Sequence, residues 1–288
     1  MNNTKKLIIK IPLSTANLAC GFDTFGLALN LYNTYTFTLS NSYKLIGFKR
    51  EYTNNNNLCL TSYKETLKML ESEDIPVSIT IDQHIYNCGG LGSSANVIIA
   101  SVAAALYMVK GSIDKNEVLK IASIIEGHPD NVAAEIFGGL TSAVKEEDNY
   151  KIFKYDVNNE LVFNVFVPSF SLSTKAMRAC LPKNVSLQDA VYNISRAANL
   201  ASALKGGNLE EIEYLMKDKL HEPYRIDKIK GAKEVFEYAS INKLPHAISG
   251  SGASLLIIDK KEIKQNFDGF INCSLKVDNE GMKIYEEN

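Results

Sequence analysis

The chain is 288 residues long, and at about 150 residues per domain that length leaves room for two domains. Its 31 basic and 33 acidic side chains give a formal net charge of −2, which argues against a binder of nucleic acid or of an anionic membrane. Five scattered cysteines (Cys20, Cys59, Cys88, Cys180, Cys273) form no CxxC pair, so they suggest neither a zinc site nor a disulfide framework, and a reducing cytoplasmic setting is expected.

The opening MNNTKKLIIKIPLS turns polar too early for a signal peptide, and residues 7–11 within it read as a short apolar strand. Residues 31–39 alternate, with Tyr35 and Phe37 on one face, as a second strand. Asparagines at 54–57 mark a loop, and 58–70 follow with helical spacing. Residues 77–81 alternate again. After a glycine-rich turn, 95–109 is alanine-rich and almost wholly apolar, the pattern of a helix buried on most sides. At roughly 15 residues it is expected to be too short to cross a bilayer. Asp114 caps a helix running through 125, and Phe137-Gly138-Gly139 returns the chain to strand. The polar turn at 156–159 is taken as a domain boundary, dividing the chain into 1–157 and 158–288. Beyond it come a strand at 161–167, helices at 173–180, 187–204, 209–216 and 232–240, and strands at 253–258 and 271–277. The interleaving has no regular βαβ period, so the expected class is α+β.

The sharpest local signal is Cys88-Gly89-Gly90-Leu91-Gly92-Ser93-Ser94-Ala95, set between a strand and the apolar helix. Glycines let a backbone approach an anion and adopt positive φ, and a helix N-terminus offers free N–H groups with a partial positive charge. No GKS/T ending follows, so the loop is not of the Walker type. Taken alone, the same residues also fit a plain glycine turn with Ser93 as the helix N-cap.

The loop is one of three motifs in order. Residues 12–23 read PLSTANLACGFD, residues 90–95 read GLGSSA, and residues 249–253 read SGSGA. In this combination the chain resembles the GHMP small-molecule kinases. EGHPDNVA at 126–133, LSTKAMR at 172–178 and HEPYR at 221–225 are most similar to the homoserine kinase branch, and the resemblance covers nearly the whole chain. The departures are Ala19-Cys20 for the common Gly-Pro, Tyr86 for a proline, and Ala253 for a proline; they alter turns and no functional group.

The resemblance implies a two-domain fold, with an N-terminal domain like ribosomal protein S5 domain 2 and a C-terminal ferredoxin-like α/β domain, the site lying between them. It implies ATP as phosphoryl donor, held by Cys88, Gly89, Gly90, Leu91, Gly92, Ser93 and Ser94, with Asn57 near the base. Ser94 and Glu126 would hold Mg2+, as hydroxyl and carboxylate oxygens suit a hard cation. Glu126, Ser94 and Asn131 form the expected catalytic set. Asn17, Asp23, His128, Asn131, Thr174, Arg178 and Arg225 would bind L-homoserine, the arginines taking its carboxylate and Asn17 with Asp23 its ammonium group. A homodimer is among the expectations, without a nucleic-acid or membrane partner. The rivals are a mevalonate-type GHMP kinase and a non-catalytic ligand sensor of the same fold.

Overall fold

A computed structural model of the chain describes residues 6–83, 89–147, 149–170 and 172–287. The loop cysteine Cys88, together with His84 and Tyr86, lies outside the described residues. The first half runs β1 (Lys6–Ala16), β2 (Phe25–Leu39), β3 (Lys44–Ile46), α1 (Leu58–Met69), β4 (Val77–Gln83), α2 (Ser93–Lys110), α3 (Lys115–Glu126), α4 (Asp130–Phe137), β5 (Leu140–Glu146) and β6 (Asn149–Tyr155). The second runs β7 (Val162–Pro168), α5 (Thr174–Ala179), α6 (Leu187–Gly206), α7 (Leu209–Leu215), α8 (Glu222–Arg225), α9 (Ala232–Ile241), β8 (His246–Ile248), β9 (Leu255–Asp259), β10 (Phe270–Leu275) and β11 (Lys283–Glu287).

The first sheet has the order β11-β1-β2-β4-β3, and β5 joins it on the early part of β2 and carries β6. Strand β2 is long enough to serve both neighbours: Phe25–Leu27 pair with β5, and residues 33–39 pair with β4. Pro12 interrupts β1 at a register shift, just past the residues that β11 covers, where a missing N–H does least harm to the ladder. The second sheet is antiparallel with order β10-β7-β9-β8, the 4-1-3-2 order of a ferredoxin-like sheet. The protein is α+β with two sheets.

A cut between residues 157 and 158 separates the two sheets except at the end of the chain. Strand β11 returns to pair with β1, from Lys6↔Glu287 to Lys10↔Lys283, and so covers an edge that β1 would otherwise expose. The helix expected at 95–109 is longer than the sequence suggested, 18 residues from Ser93 to Lys110, so its length does not by itself exclude a membrane span. Its packing does the deciding. Ile98, Ile99 and 102–106 are buried in the core formed with α1, α3 and the first sheet.

A second apolar cluster joins the two halves. Leu13, Leu27 and Leu29 of the first sheet meet Phe163 and Val165 of β7 and Leu200 and Leu204 of α6. On the other face of β7, Phe166 packs with Val235 and Ala239 of α9. Burial on both faces explains why β7 reads as a nearly continuous apolar run. Helix α4 is likewise enclosed: Asp130 through Ile136 are buried, polar residues included, so no solvated face marks it as a surface helix. The short strands β3, β8 and β11, and β6 with its exposed polar residues, were likewise outside the sequence reading.

Candidate active site

The three glycine-bearing motifs meet at one point. Ser249 Oγ donates to Gly90 O at 2.5 Å, and Ser254 donates to Gly89 O through both its N–H (3.1 Å) and its hydroxyl (2.6 Å). Gly250 N donates to Ala16 O at 3.1 Å, and Asn17 Nδ2 returns a bond to Gly250 O at 2.8 Å. The late turn therefore clamps the phosphate loop against the end of β1. Gly92, with φ +69°, is the N-cap of α2, and Ser93 is the first helical residue rather than the cap. The N-terminus of α2 opens on a cleft of about 360 Å³.

That cleft is lined by Asn17, Asp23, Asn57, Gly89, Gly90, Gly92, Ser93, Ser94, Glu126, His128, Asn131, Thr174, Arg178 and Arg225. The loop leucine differs: Leu91 has its side chain buried in the apolar cluster that joins the two sheets, and only its backbone, bonded from Ser14 N, belongs to the loop. The sequence reading missed one wall altogether, made of Phe48, Lys49, Tyr52, Leu58, Ile81 and Gln83, whose apolar and polar mix left no motif.

Beside the loop, Ser94 Oγ donates to Glu126 Oε2 at 2.7 Å. Glu126 closes α3 and Gly127 follows in the left-handed region as its cap. Burial raises the Glu126 pKa above the ordinary range, against the opposing bond from Ser94 and the charge of His128. His128 Nδ1 contacts Asp130 Oδ1 at 2.9 Å and its Nε2 lies 3.8 Å from Glu126 Oε1. Burial by itself would lower the His128 pKa, but the bond and charge of Asp130 and the charge of Glu126 outweigh it, and the pKa is raised.

On the acceptor side, residues 17–23 form a tight turn with Asn17, Leu18, Ala19 and Asp23 all at positive φ. Asn17 holds this turn with both ends of its amide, since Oδ1 accepts from Asp23 N at 2.9 Å. Asn57 is likewise engaged, as the N-cap of α1 through Leu60 N and as donor to Tyr52 O. Arg178 forms a two-pronged ion pair with Asp23. Arg225 is 1% exposed, and among the described residues no carboxylate lies within ion-pair distance of it. Its guanidinium instead bonds Met177 O, Gly250 O and His221 Nδ1. Burial lowers the pKa of this arginine, and Arg178 adds to the effect. The Phe22 ring lies under both, 5.8 Å from the Arg178 centre and 5.3 Å from that of Arg225. Thr174 Oγ1 sits 3.3 Å from Ser251 Oγ at the same mouth.

A helix N-terminus with a glycine loop and a pair of arginines, all lining one cleft, suit a phosphotransferase with a small carboxylate-bearing acceptor. Residues 57–139 match the GHMP kinases N terminal domain. A homoserine kinase of Clostridium acetobutylicum is 35% identical over 286 residues, covering 96% of this chain and 95% of that protein. A homoserine kinase of Clostridium beijerinckii is 35% identical over 266 residues, covering 89% and 87%. The crystal structure of homoserine kinase from Cytophaga hutchinsonii has the same fold, with a TM-score of 0.84 at 24% identity over 99% of each chain. Phosphomevalonate kinase of Streptococcus pneumoniae is more distant, with a TM-score of 0.64 at 16% identity over 89% of this chain and 92% of that one. This chain belongs to the homoserine kinase family of the GHMP kinases. It is an ATP-dependent small-molecule kinase.

Proposed function

We propose that the chain transfers the γ-phosphoryl group of ATP to the hydroxyl of L-homoserine, giving O-phospho-L-homoserine and ADP on the route to threonine. The observation that carries this reading is the opening of the α2 N-terminus on the same cleft as Asp23, Arg178 and Arg225. The α2 amides and the Gly89–Gly92 backbone receive the phosphates. Arg225, buried without a carboxylate partner among the described residues, takes the acceptor carboxylate, with Arg178 beside it. Asp23 takes the ammonium group.

Phosphoryl transfer asks for positioning and charge neutralisation more than for covalent chemistry. No side chain is assigned as general base: Asp23 is occupied by Arg178, and Asp130 Oδ1 by His128 and by the backbone N–H of Asn131. His128 lines the same cleft, where the bond and charge of Asp130 and the charge of Glu126 raise its pKa against burial.

Ser94 and Glu126 suit Mg2+: they are a hydroxyl and a carboxylate side by side, and a hard cation takes few protein ligands when phosphate oxygens complete its shell. Among the described residues no cluster of three His, Cys, Asp or Glu competes as a metal cage. When bound, the ion supplies charge neutralisation at the phosphates. Cytoplasmic residence and a homodimer complete the reading. Free Cys20, Cys59, Cys180 and Cys273 support the first, and the exposed apolar face of α6 at Leu187, Val191 and Ile194 supports the second.

An ADP-release assay over a panel of acceptors tests the reaction. L-homoserine is expected to be turned over far faster than mevalonate or galactose, and a preference for either of those would sink the assignment. Glu126→Gln tests the metal: its amide oxygen still accepts from Ser94, yet kcat is expected to fall by about 100-fold or more, with a raised requirement for magnesium. Near-normal turnover at ordinary magnesium would remove Glu126 from the metal site.

A further inference from the structure

Beneath the phosphate loop, packed under Gly92 and linked to the cleft through Asn131, lies a buried carboxyl group. Glu135, in α4, has no exposed surface. Its Oε1 is 2.6 Å from Ser14 Oγ, and Ser14 Oγ is 2.9 Å from Asn131 Oδ1. Its Oε2 accepts from Asn96 Nδ2 at 3.1 Å. These oxygens crowd directly under the loop: a Cβ placed on Gly92 would lie 2.1 Å from Glu135 Oε1, 2.3 Å from Ser14 Oγ and 3.2 Å from Asn131 Oδ1.

Counting protons assigns the roles. Asn131 is oriented by Asp130, because its Nδ2 lies 3.3 Å from Asp130 Oδ1; a flipped amide would set two acceptors against each other there. Asn131 Oδ1 therefore faces Ser14, and the single hydroxyl proton of Ser14 goes to it. The close contact between Ser14 Oγ and Glu135 Oε1 then needs a second proton, and only Glu135 can carry it. The far side agrees. Asn96 is oriented by Pro12 O, which accepts from its Nδ2, and by Asn33 and Tyr35, which donate to its Oδ1, so Oε2 is an acceptor and the proton belongs on Oε1.

We infer that Glu135 is a positioning residue working as a neutral carboxylic acid, which donates to Ser14 and through it fixes the Asn131 amide and the Gly92 turn above. The chain of bonds runs Glu135 to Ser14 to Asn131, ending in the cleft. Burial, with the nearby charges of Glu126 and Asp130, independently holds the Glu135 pKa well above the ordinary carboxylate range. The effect on turnover rests on the kinase reading; the protonation state does not.

Glutamine reproduces a neutral acid here, since its amide donates to Ser14 and its oxygen accepts from Asn96. Glu135→Gln is expected to keep most of kcat, whereas Glu135→Ala lowers kcat about 10- to 100-fold. A Gln variant that falls as far as the Ala variant, or an Ala variant that turns over normally, overturns the inference. Should Glu135→Ala not fold, Ser14→Ala takes its place: it breaks the bridge and leaves the acid, and unchanged turnover there is equally fatal. The infrared difference spectrum of Glu135→Gln against the native chain at neutral pH reads the proton without any substrate. Loss of a carboxylic-acid carbonyl band is expected, and loss of carboxylate bands instead overturns the assignment. Failure of the native chain to phosphorylate L-homoserine would sink the reaction, not the infrared result.

Discussion

Arg178 grips Asp23 at both carboxylate oxygens, Nη1 to Oδ2 at 2.7 Å and Nη2 to Oδ1 at 2.9 Å, joining helix α5 to the 17–23 turn. The motifs assign these two residues to opposite ends of one substrate, and in the structure they pair with each other. With side chains 42% and 33% exposed, the pair contributes only about 0.2–1 kcal/mol. A molecule carrying both an ammonium and a carboxylate can replace it with an interaction to each partner.

This exchange has a kinetic signature. Arg178→Ala is expected to raise the KM for L-homoserine about 10- to 100-fold, the loss of a charge-assisted bidentate contact, with the KM for ATP little changed. Asp23→Asn does the same through the ammonium group. The double variant loses less than the product of the two, since each single change leaves its partner uncompensated. Equal losses for L-homoserine and for an amino alcohol lacking the carboxylate would show that the arginine acts through domain closure alone.

Gly92 serves packing before it serves phosphate. Alanine there meets Glu135 Oε1 at 2.1 Å and Ser14 Oγ at 2.3 Å, well inside van der Waals contact, and must hold φ +69°. Gly92→Ala is therefore expected to lose about 2–5 kcal/mol of stability, apart from any effect on ATP. Gly206, the last residue of α6, has nothing within 4 Å of its missing Cβ, so Gly206→Ala should gain about 0.5–1 kcal/mol. Urea midpoints compare the two, and equal midpoints would mean that the loop can shift away from the buried acid.

The contrast shows what the sequence could and could not disclose. Glycines, Glu126 and Arg178 stand in motifs whose spacing survives in one dimension, and the structure draws those motifs together around the cleft. Glu135 stands in no motif: a glutamate in a short helix reads as solvated until the fold buries it beneath Gly92. Asn17 and Asn57 read as ligand-binding amides and both line the cleft, but their bonds to Gly250, Asp23, Tyr52 and Leu60, which hold a turn and cap α1, had no trace in the sequence. The return of β11 to β1 was illegible because nothing local in residues 283–287 names a partner more than 270 positions away. His221 showed in the HEPYR motif without any sign of its partners, which come from both halves of the chain.

Those partners make His221 a pH-dependent element of the fold. Its ring is fully buried, stacked on Phe22 with centroids 5.1 Å apart, with Nε2 2.9 Å from Ala19 O and Nδ1 3.1 Å from Arg225 Nη1. The guanidinium can only donate, so Nδ1 is the acceptor and the proton sits on Nε2, the neutral tautomer. Burial lowers the pKa, Asp218 opposes it, and Arg225 lowers it further. A histidine whose folded pKa lies below the unfolded value of about 6.5 binds fewer protons in the native state, so stability rises with pH across that interval. Acidification from about pH 7 to pH 5 should accordingly destabilise the native chain as the buried ring is forced to charge against Arg225. His221→Gln keeps a donor for Ala19 O and cannot titrate. Its Tm is expected to start lower at neutral pH and to fall less on acidification, so the two curves converge. The raised pKa values of Glu126, Glu135 and Glu222 act in the opposite sense but are common to both proteins, and they cancel in the difference. Curves of Tm against pH that run parallel over this range would show that His221 is not the neutral link between Ala19 and Arg225.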